Sequence, residues 1–359
     1  MFLTTTFVYN KGTGTMNTQT ATYNEISSQP QAWQAALDAV GRQAEALQQL
    51  WSKKDYSQVV FTGCGSTYYL ALAAAALFQE LIGQAVRVSP AGELVMYPAT
   101  TYSSGGPALL VAFSRSAATT ETIQAAKNFR QSQSGDVLTI TNYGDQPLAE
   151  MGTITIDIPE GQEESVAQTR SFASMYVAAS ALAALLAGRD DLLQAMQGLP
   201  ELGRNLIARY EAFVQPLGEN LKLDRFYFLG SGPRYGLACE ANLKMKEMTL
   251  THSEPFHFLE FRHGPISMAG PTALVIGLLS DSNHKHEAAV LEDVRQLGGK
   301  TLTLGEGDTD ITFNSQLPEA IRNVLYLPPL QLLAYYRALA KGLNPDRPNN
   351  LESVVRLAW

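Results

Sequence analysis

Apolar residues in this chain gather into short unbroken runs, each followed by a polar turn and then by a longer stretch with helical spacing. Ala108 to Phe113 is such a run and reads as a strand buried on both faces. Ile123 to Phe129 then opens a helix. Val59 to Phe61 leads into Thr62-Gly63-Cys64-Gly65-Ser66-Thr67-Tyr68, with Ala71 to Phe78 continuing as a helix. Phe226 to Leu229 leads into Gly230-Ser231-Gly232-Pro233-Arg234-Tyr235, with Leu237 to Met248 as its helix. Val137 to Thr141, Ala273 to Leu279 and Thr301 to Leu304 supply further strands.

The pattern repeats. Gly63, Gly65 and Tyr68 recur as Gly230, Gly232 and Tyr235, each at an offset of 167. Ser114-Arg115-Ser116 recurs after its strand as Ser280-Asp281-Ser282, at an offset of 166. Strands alternating with helices predict a parallel sheet covered on both faces. Two copies predict an α/β chain of two doubly wound, flavodoxin-like domains in tandem, each a three-layer αβα unit. The expected bounds are a tail and lead-in helix over 1–34, domains over 35–200 and 201–340, and a C-terminal tail over 341–359.

The chain has 359 residues, 45% hydrophobic and 17% charged, enough for a large core. Its net charge of −8, without a Lys/Arg cluster, argues against a nucleic-acid partner. Cys64 and Cys239 make neither a disulfide framework nor a metal site, which points to a reducing cytoplasm. The first fifteen residues, rich in Thr and Gly, read as a tail, with Met16 as an alternative start. No charged segment followed by a long apolar stretch suggests a signal peptide. Ala71 to Leu77 and Val177 to Leu186 are too short to span a membrane.

Ser114, Ser116 and Thr119 crowd the turn between a strand and a helix. Backbone N–H groups there carry positive partial charge and suit an anion. Without a glycine-lysine P-loop, a single phosphate on a small molecule fits better than a nucleoside triphosphate. An ordinary Ser/Thr helix cap has the same composition. Gly63-x-Gly65 invites a dinucleotide reading, but Tyr68 stands where a third glycine belongs. In the second copy Gly236 comes one place late, and no acidic residue closes the second strand of either unit. The glycines read instead as letting backbone approach a ligand at the sheet's C-terminal edge. Glu240, Lys244 and Glu247 fall at i, i+4 and i+7 on one helix face, a spacing that a solvated charged face shares.

Four stretches, Gly63 to Thr67, Ser114 to Thr122, Glu240 to Glu247 and Glu260 to Pro265, resemble the sugar isomerase (SIS) family of phosphosugar-binding domains in its double-domain form. That form includes the isomerase half of glucosamine-6-phosphate synthase and the stand-alone aminosugar-phosphate deaminase/isomerases. The likeness covers residues 25–359. Ala117 stands where the family usually has Gly. Phe261-Arg262-His263-Gly264-Pro265 and the opening Glu25 to Pro30 lean toward the galactosamine-6-phosphate branch. Asn344-Pro345-Asp346-Arg347-Pro348 looks like the synthase and glucosamine-6-phosphate deaminase branch.

The resemblance implies a phosphate on Ser114, Ser116 and Thr119, with Ser66 and Thr67 beside it and Val166 and Gln168 lining the sugar. Arg115 either reaches the phosphate with both arms or points to solvent. Glu247 matches the proton-transfer base and His263 the ring-opening residue, which in relatives reaches the site from a second subunit, so a homodimer is implied. His252 and His257 are weaker candidates. His284 and His286 replace the hydroxyl set in the second copy, so one phosphate site per chain is expected. The tail, Asn350-Leu351-Glu352-Ser353, has no lysine where the synthase uses one, and none occurs beyond Lys341. Glu352 and Ser353 are left as possible tail contributions. No cysteine precedes Cys64, so a glutamine-hydrolysing half is not expected. The resemblance thus implies a cytoplasmic, cofactor-free, metal-free hexosamine-6-phosphate deaminase/isomerase. A plain aldose–ketose isomerase and a non-catalytic phosphosugar sensor are the alternatives.

Overall fold

The computed structural model describes residues 20–103 and 105–357, so the expected N-terminal tail and Met16 lie outside the described residues. Ten parallel strands form two sheets. The first contains β1 (Gln58–Gly63), β2 (Val86–Pro90), β3 (Ala108–Ser114), β4 (Gly135–Thr141) and β5 (Ile154–Asp157), in the order β2-β1-β3-β4-β5. The second contains β6 (Arg225–Leu229), β7 (His252–Phe256), β8 (Ala273–Leu278), β9 (Lys300–Gly305) and β10 (Ile311–Thr312), in the order β10-β9-β8-β6-β7. Read from the other edge, this is the order of the first sheet. Every residue of β1, β3 and β8 is buried, as central strands between helical layers must be.

The strands absent from the sequence reading, β2, β5, β7 and β10, flank these cores. β7 reads His-Ser-Glu-Pro-Phe, and its proline is tolerated because the strand lies at a sheet edge. Sequence alternation is weak in such short edge strands, so tertiary pairing decides them.

Each Gly-x-Gly turn serves the chain itself. A Cβ on Gly63 would lie 2.5 Å from the backbone of Thr67, and one on Gly230 2.4 Å from that of Arg234. Gly65 and Gly232 have φ of 55° and 57°, the left-handed region that favours glycine. Gly236 lets the helix Pro233–Thr249 cross the helix Ser66–Ile82 closely, since a Cβ there would meet Tyr69 O and Ala73 N at 2.5 Å. That crossing joins the two sheet units. It also explains Gly236 without a dinucleotide.

The helix Arg170–Leu186 is buried along nearly its whole length and packs on the helices Ala21–Arg42 and Ser66–Ile82. Its Ala and Ser residues permit close approach on several sides. The expected lines at 34/35 and 200/201 fall inside the helices Ala21–Arg42 and Leu199–Glu219. Among the described residues no helix is long and apolar enough to cross a membrane.

Candidate active site

The hydroxyl-rich turn joins β3 to the helix Thr120–Ser132. Thr119 occupies the N-cap, yet its side chain makes no cap hydrogen bond. Ser114 Oγ is buried with no partner among the described residues. Ser116 Oγ accepts from Ala118 N at 3.2 Å. An ordinary cap engages its hydroxyl with the first turn's N–H groups; two of these three hydroxyls are unengaged. Ala117 bends the turn at φ 47°, in the left-handed region that favours glycine.

The β1 turn lies alongside. Cys64 Sγ is 3.5 Å from Thr122 Oγ1, and burial pushes the thiol up to about 11, so it stays neutral. Thr67 Oγ1 donates to Cys64 O and accepts from Cys64 N, both at 2.9 Å, so it closes its own turn. Ser66 instead faces the second unit, donating to Glu240 Oε1 at 3.0 Å and accepting from Lys244 Nζ at 3.2 Å.

Glu240, Lys244 and Glu247 do share one face of the helix Pro233–Thr249, but it is not a solvated face. Glu240 and Lys244 are buried, and Lys244 Nζ lies 3.2 Å from Glu240 Oε1 and 2.5 Å from Glu247 Oε2. Burial raises Glu240 to about 7, more than the lysine charge draws it down. Desolvation works against the Lys244 charge, but the two carboxylates outweigh it and hold the ammonium protonated above its ordinary range. Glu240 Oε2 has no hydrogen-bond partner among the described residues. Glu247 alone of the three reaches partly into solvent.

Three comparisons locate this architecture among known proteins. The SIS domain family model matches residues 49–185 and 221–320, one segment for each sheet. The chain belongs to the SIS domain family. It is 29% identical over 344 residues to a glutamine–fructose-6-phosphate aminotransferase of Pyrococcus horikoshii, covering 92% of this chain and 56% of that protein. The chain thus spans little more than half the length of that relative. A glucosamine-6-phosphate deaminase from Thermotoga maritima superposes with a TM-score of 0.78 at 26% identity, covering 94% of this chain and all of that one. A tagatose-6-phosphate ketose/aldose isomerase from Escherichia coli shares the fold at a TM-score of 0.84 and 22% identity, covering 95% and 98%.

In the first SIS unit a third segment, residues 162–169, is held by two buried carboxylates. Glu25 accepts from Glu164 N at 2.6 Å, Ser165 N at 3.1 Å and Ser165 Oγ. Burial and the neighbouring Glu163 charge push its carboxyl up. Glu163 accepts from Thr169 N at 2.8 Å and Ser171 N at 3.1 Å, capping the helix Arg170–Leu186. Gln168 Oε1 is buried without a partner among the described residues, and Val166 is half-buried. Asp346 caps the helix Ala21–Arg42, accepting from Ala21 N at 3.0 Å and Thr22 N at 2.8 Å, while its carbonyl accepts from Val166 N at 3.0 Å. Glu25 and Asp346 belong to stretches that carried the family resemblance, but their work as supports was not legible there. Glu163 had no signal at all.

Arg115 does not point to solvent. Its side chain is 7% exposed; Nη1 donates to Val166 O at 2.9 Å and Nη2 to Ser353 O at 2.9 Å. Glu352 is exposed. His263 lies on an exposed turn beside Gly264, and its side chain makes no hydrogen bond or ion pair among the described residues. No hydrogen bond or ion pair joins it to Glu247 among the described residues. His257 stacks on Tyr235 at 3.8 Å, and burial lowers its pKa. His252 is exposed beside Glu254.

The counterpart turn in the second SIS unit is filled by the protein's own carboxylates. Glu287 accepts from Ser280 N at 2.6 Å and Ser280 Oγ at 3.0 Å. Glu319 accepts from Ser282 N at 3.3 Å and Arg234 Nη1 at 2.7 Å. Ser282 and Arg234 are the repeat partners of Ser116 and Thr67. In the first unit, among the described residues, no carboxylate takes up the hydroxyls of Ser114 or Thr119 in this way.

Proposed function

We propose that this chain is a phosphosugar-processing enzyme, a hexosamine-6-phosphate deaminase/isomerase that forms a ketose 6-phosphate and ammonia. The observation that carries the reading is the pairing of unengaged turn hydroxyls with a buried lysine holding the partly exposed Glu247. The phosphate rests on Ser114, Ser116 and Thr119 with the helix amides. Ser66 belongs to the same site, and Thr67 shapes its wall. Val166 and Gln168 line the sugar.

His263, from a second copy in a homodimer, opens the ring by taking the C1 hydroxyl proton and protonating the ring oxygen. Glu247 then removes the C2 proton and returns a proton to C1. With an amine on C2 the product is a ketimine; water adds at C2 and ammonia leaves. With a hydroxyl on C2 the same transfer is an aldose–ketose isomerisation. The Lys244 ammonium faces the negative charge that develops on the way. The domain bounds over 35–200 and 201–340, the tail over 341–359 and a cytoplasmic setting are part of this reading.

Plain isomerisation is the second reading; the tail carrying Glu352 and Ser353 has no lysine, and neither reaction requires one. A sensor needs neither Glu247 nor a buried lysine beside it. Purified protein should be incubated with glucosamine 6-phosphate, galactosamine 6-phosphate and fructose 6-phosphate while ammonia and the product sugars are measured. Ammonia from either amine supports deamination. Interconversion of hexose phosphates without ammonia supports the plain isomerase. Tight binding without turnover or C2 proton exchange would leave the sensor.

A further inference from the structure

We propose that Arg115 is a positioning residue that locks the C-terminal tail and the sugar-facing segment onto the phosphate turn, so that the three hold one geometry. The inference rests on reading Ser114 to Thr119 as the phosphate seat. Arg115 lies inside that seat, and its own carbonyl is fixed by Asn142 N at 3.2 Å and Thr141 Oγ1 at 3.1 Å. From this fixed point the guanidinium reaches two segments remote in sequence. Nη1 donates to Val166 O at 2.9 Å, with Ser165 O at 3.3 Å and Glu163 Oε2 at 3.4 Å beside it. Nη2 donates to Ser353 O at 2.9 Å.

Among the described residues, only one other hydrogen bond ties residues 351–357 to the rest of the chain. Leu357 N donates to Thr120 Oγ1 at 3.1 Å. Thr120 begins the helix of the same turn. Both anchors of the tail therefore belong to the phosphate turn. The planar guanidinium fork suits two carbonyls at once, which a lysine ammonium on a flexible stem does not. The buried Glu163 carboxylate balances its charge, so Arg115 acts through the segments it holds. A tail held there keeps water from an enediol or ketimine formed beneath it.

The test is cleavage by trypsin after Arg356 in the full chain. Arg347 precedes Pro348, so beyond Lys341 the tail's tryptic site is Arg356. Wild type, Arg115→Gln and Arg115→Lys are compared without ligand, and inorganic phosphate binding is measured by calorimetry. Loss of a hydrogen bond from a charged donor should speed cleavage by about 10- to 100-fold in both variants, with phosphate binding kept within a few-fold. On a phosphosugar that turns over, kcat should fall more than KM rises. Should Arg115→Gln fail to fold, the lysine variant carries the comparison. Cleavage at the wild-type rate in folded variants would overturn the proposal, as would loss of phosphate binding with the tail still protected, which would make Arg115 a phosphate ligand. A wild-type chain that binds no phosphate would strike the seat reading alone, because the cleavage comparison is made without ligand.

Discussion

The ammonium of Lys244, whose side chain is 1% exposed, lies 2.5 Å from Oε2 of Glu247, whose side chain is 21% exposed. A buried cation thus holds a partly exposed carboxylate. The ion pair fixes where the carboxylate points, and the partial exposure leaves it able to meet a substrate. The position of a base decides its use before its pKa does.

Glu247→Gln keeps the size of the side chain and removes its basicity. We expect kcat to fall by about 10²- to 10⁴-fold with near-normal phosphosugar binding. Exchange of the substrate C2 proton with deuterated solvent, followed by NMR, should stop. Exchange at the wild-type rate would assign the proton to another group, with Glu352 the next to test.

Lys244→Met leaves two carboxylates without their shared partner. Removing one member of a buried ion pair should cost about 3–5 kcal/mol. Urea unfolding of Lys244→Met, Glu240→Gln and the double variant checks this. The double variant should be less destabilised than the two losses added together. Strict additivity would mean that the pair is not coupled.

Ser116→Ala and Thr67→Val should separate binding from scaffolding. Losing one hydrogen bond to a charged phosphate should weaken binding by about 1.5–3 kcal/mol in Ser116→Ala, with the fold intact. Thr67→Val removes both hydrogen bonds that the hydroxyl makes across the β1 turn, so it should lower thermal stability first. If Ser116→Ala binds phosphorylated and unphosphorylated sugars as the wild type does, the seat is misassigned.

Glu240 makes stability depend on pH. Its folded carboxyl titrates near 7, raised by burial, against an ordinary value of 4.5. Between these values the folded chain binds more protons than the unfolded one, so this group's contribution falls as pH rises from 4.5 to 7 and levels off above. Denaturation midpoints across that window should show the slope in wild type and lose it in Glu240→Gln, by on the order of 1–3 kcal/mol. An unchanged slope in the variant would place the titration elsewhere.

The exposed His263 turn gives the proposed homodimer a functional test. Glu247→Gln and His263→Ala proteins, each inactive alone, should regain part of the activity when mixed under subunit exchange. Labelled subunits that exchange without recovery would count against a shared site.

Much of the site was legible because its parts are local. The β3 turn carries its hydroxyls within six positions, and the Gly-x-Gly repeat is visible by offset alone. The partners of these parts were not local. Spacing placed Glu240, Lys244 and Glu247 on one face but left open whether water or protein covers it. Ser66, which covers Lys244, lies 178 positions away. Arg115 was expected at the phosphate or in solvent, and its guanidinium instead meets the carbonyls of Val166 and Ser353, 51 and 238 positions on.

The sequence by itself determined the tandem parallel α/β plan, the order of strand, turn and helix in each unit, and the chemical character of the turns. Periodicity, glycine and hydroxyl placement act over a few residues, within reach of the local chain. Only the tertiary structure decided which charges are buried, which turn the chain's own carboxylates fill and what the tail rests on. Those outcomes depend on segments returning from far along the chain: Glu319 fills the second turn, Glu25 and Asp346 brace the first unit, and Arg115 holds the tail. Burial changes the electrostatic value of the same side chain, and burial is a property of the packed fold.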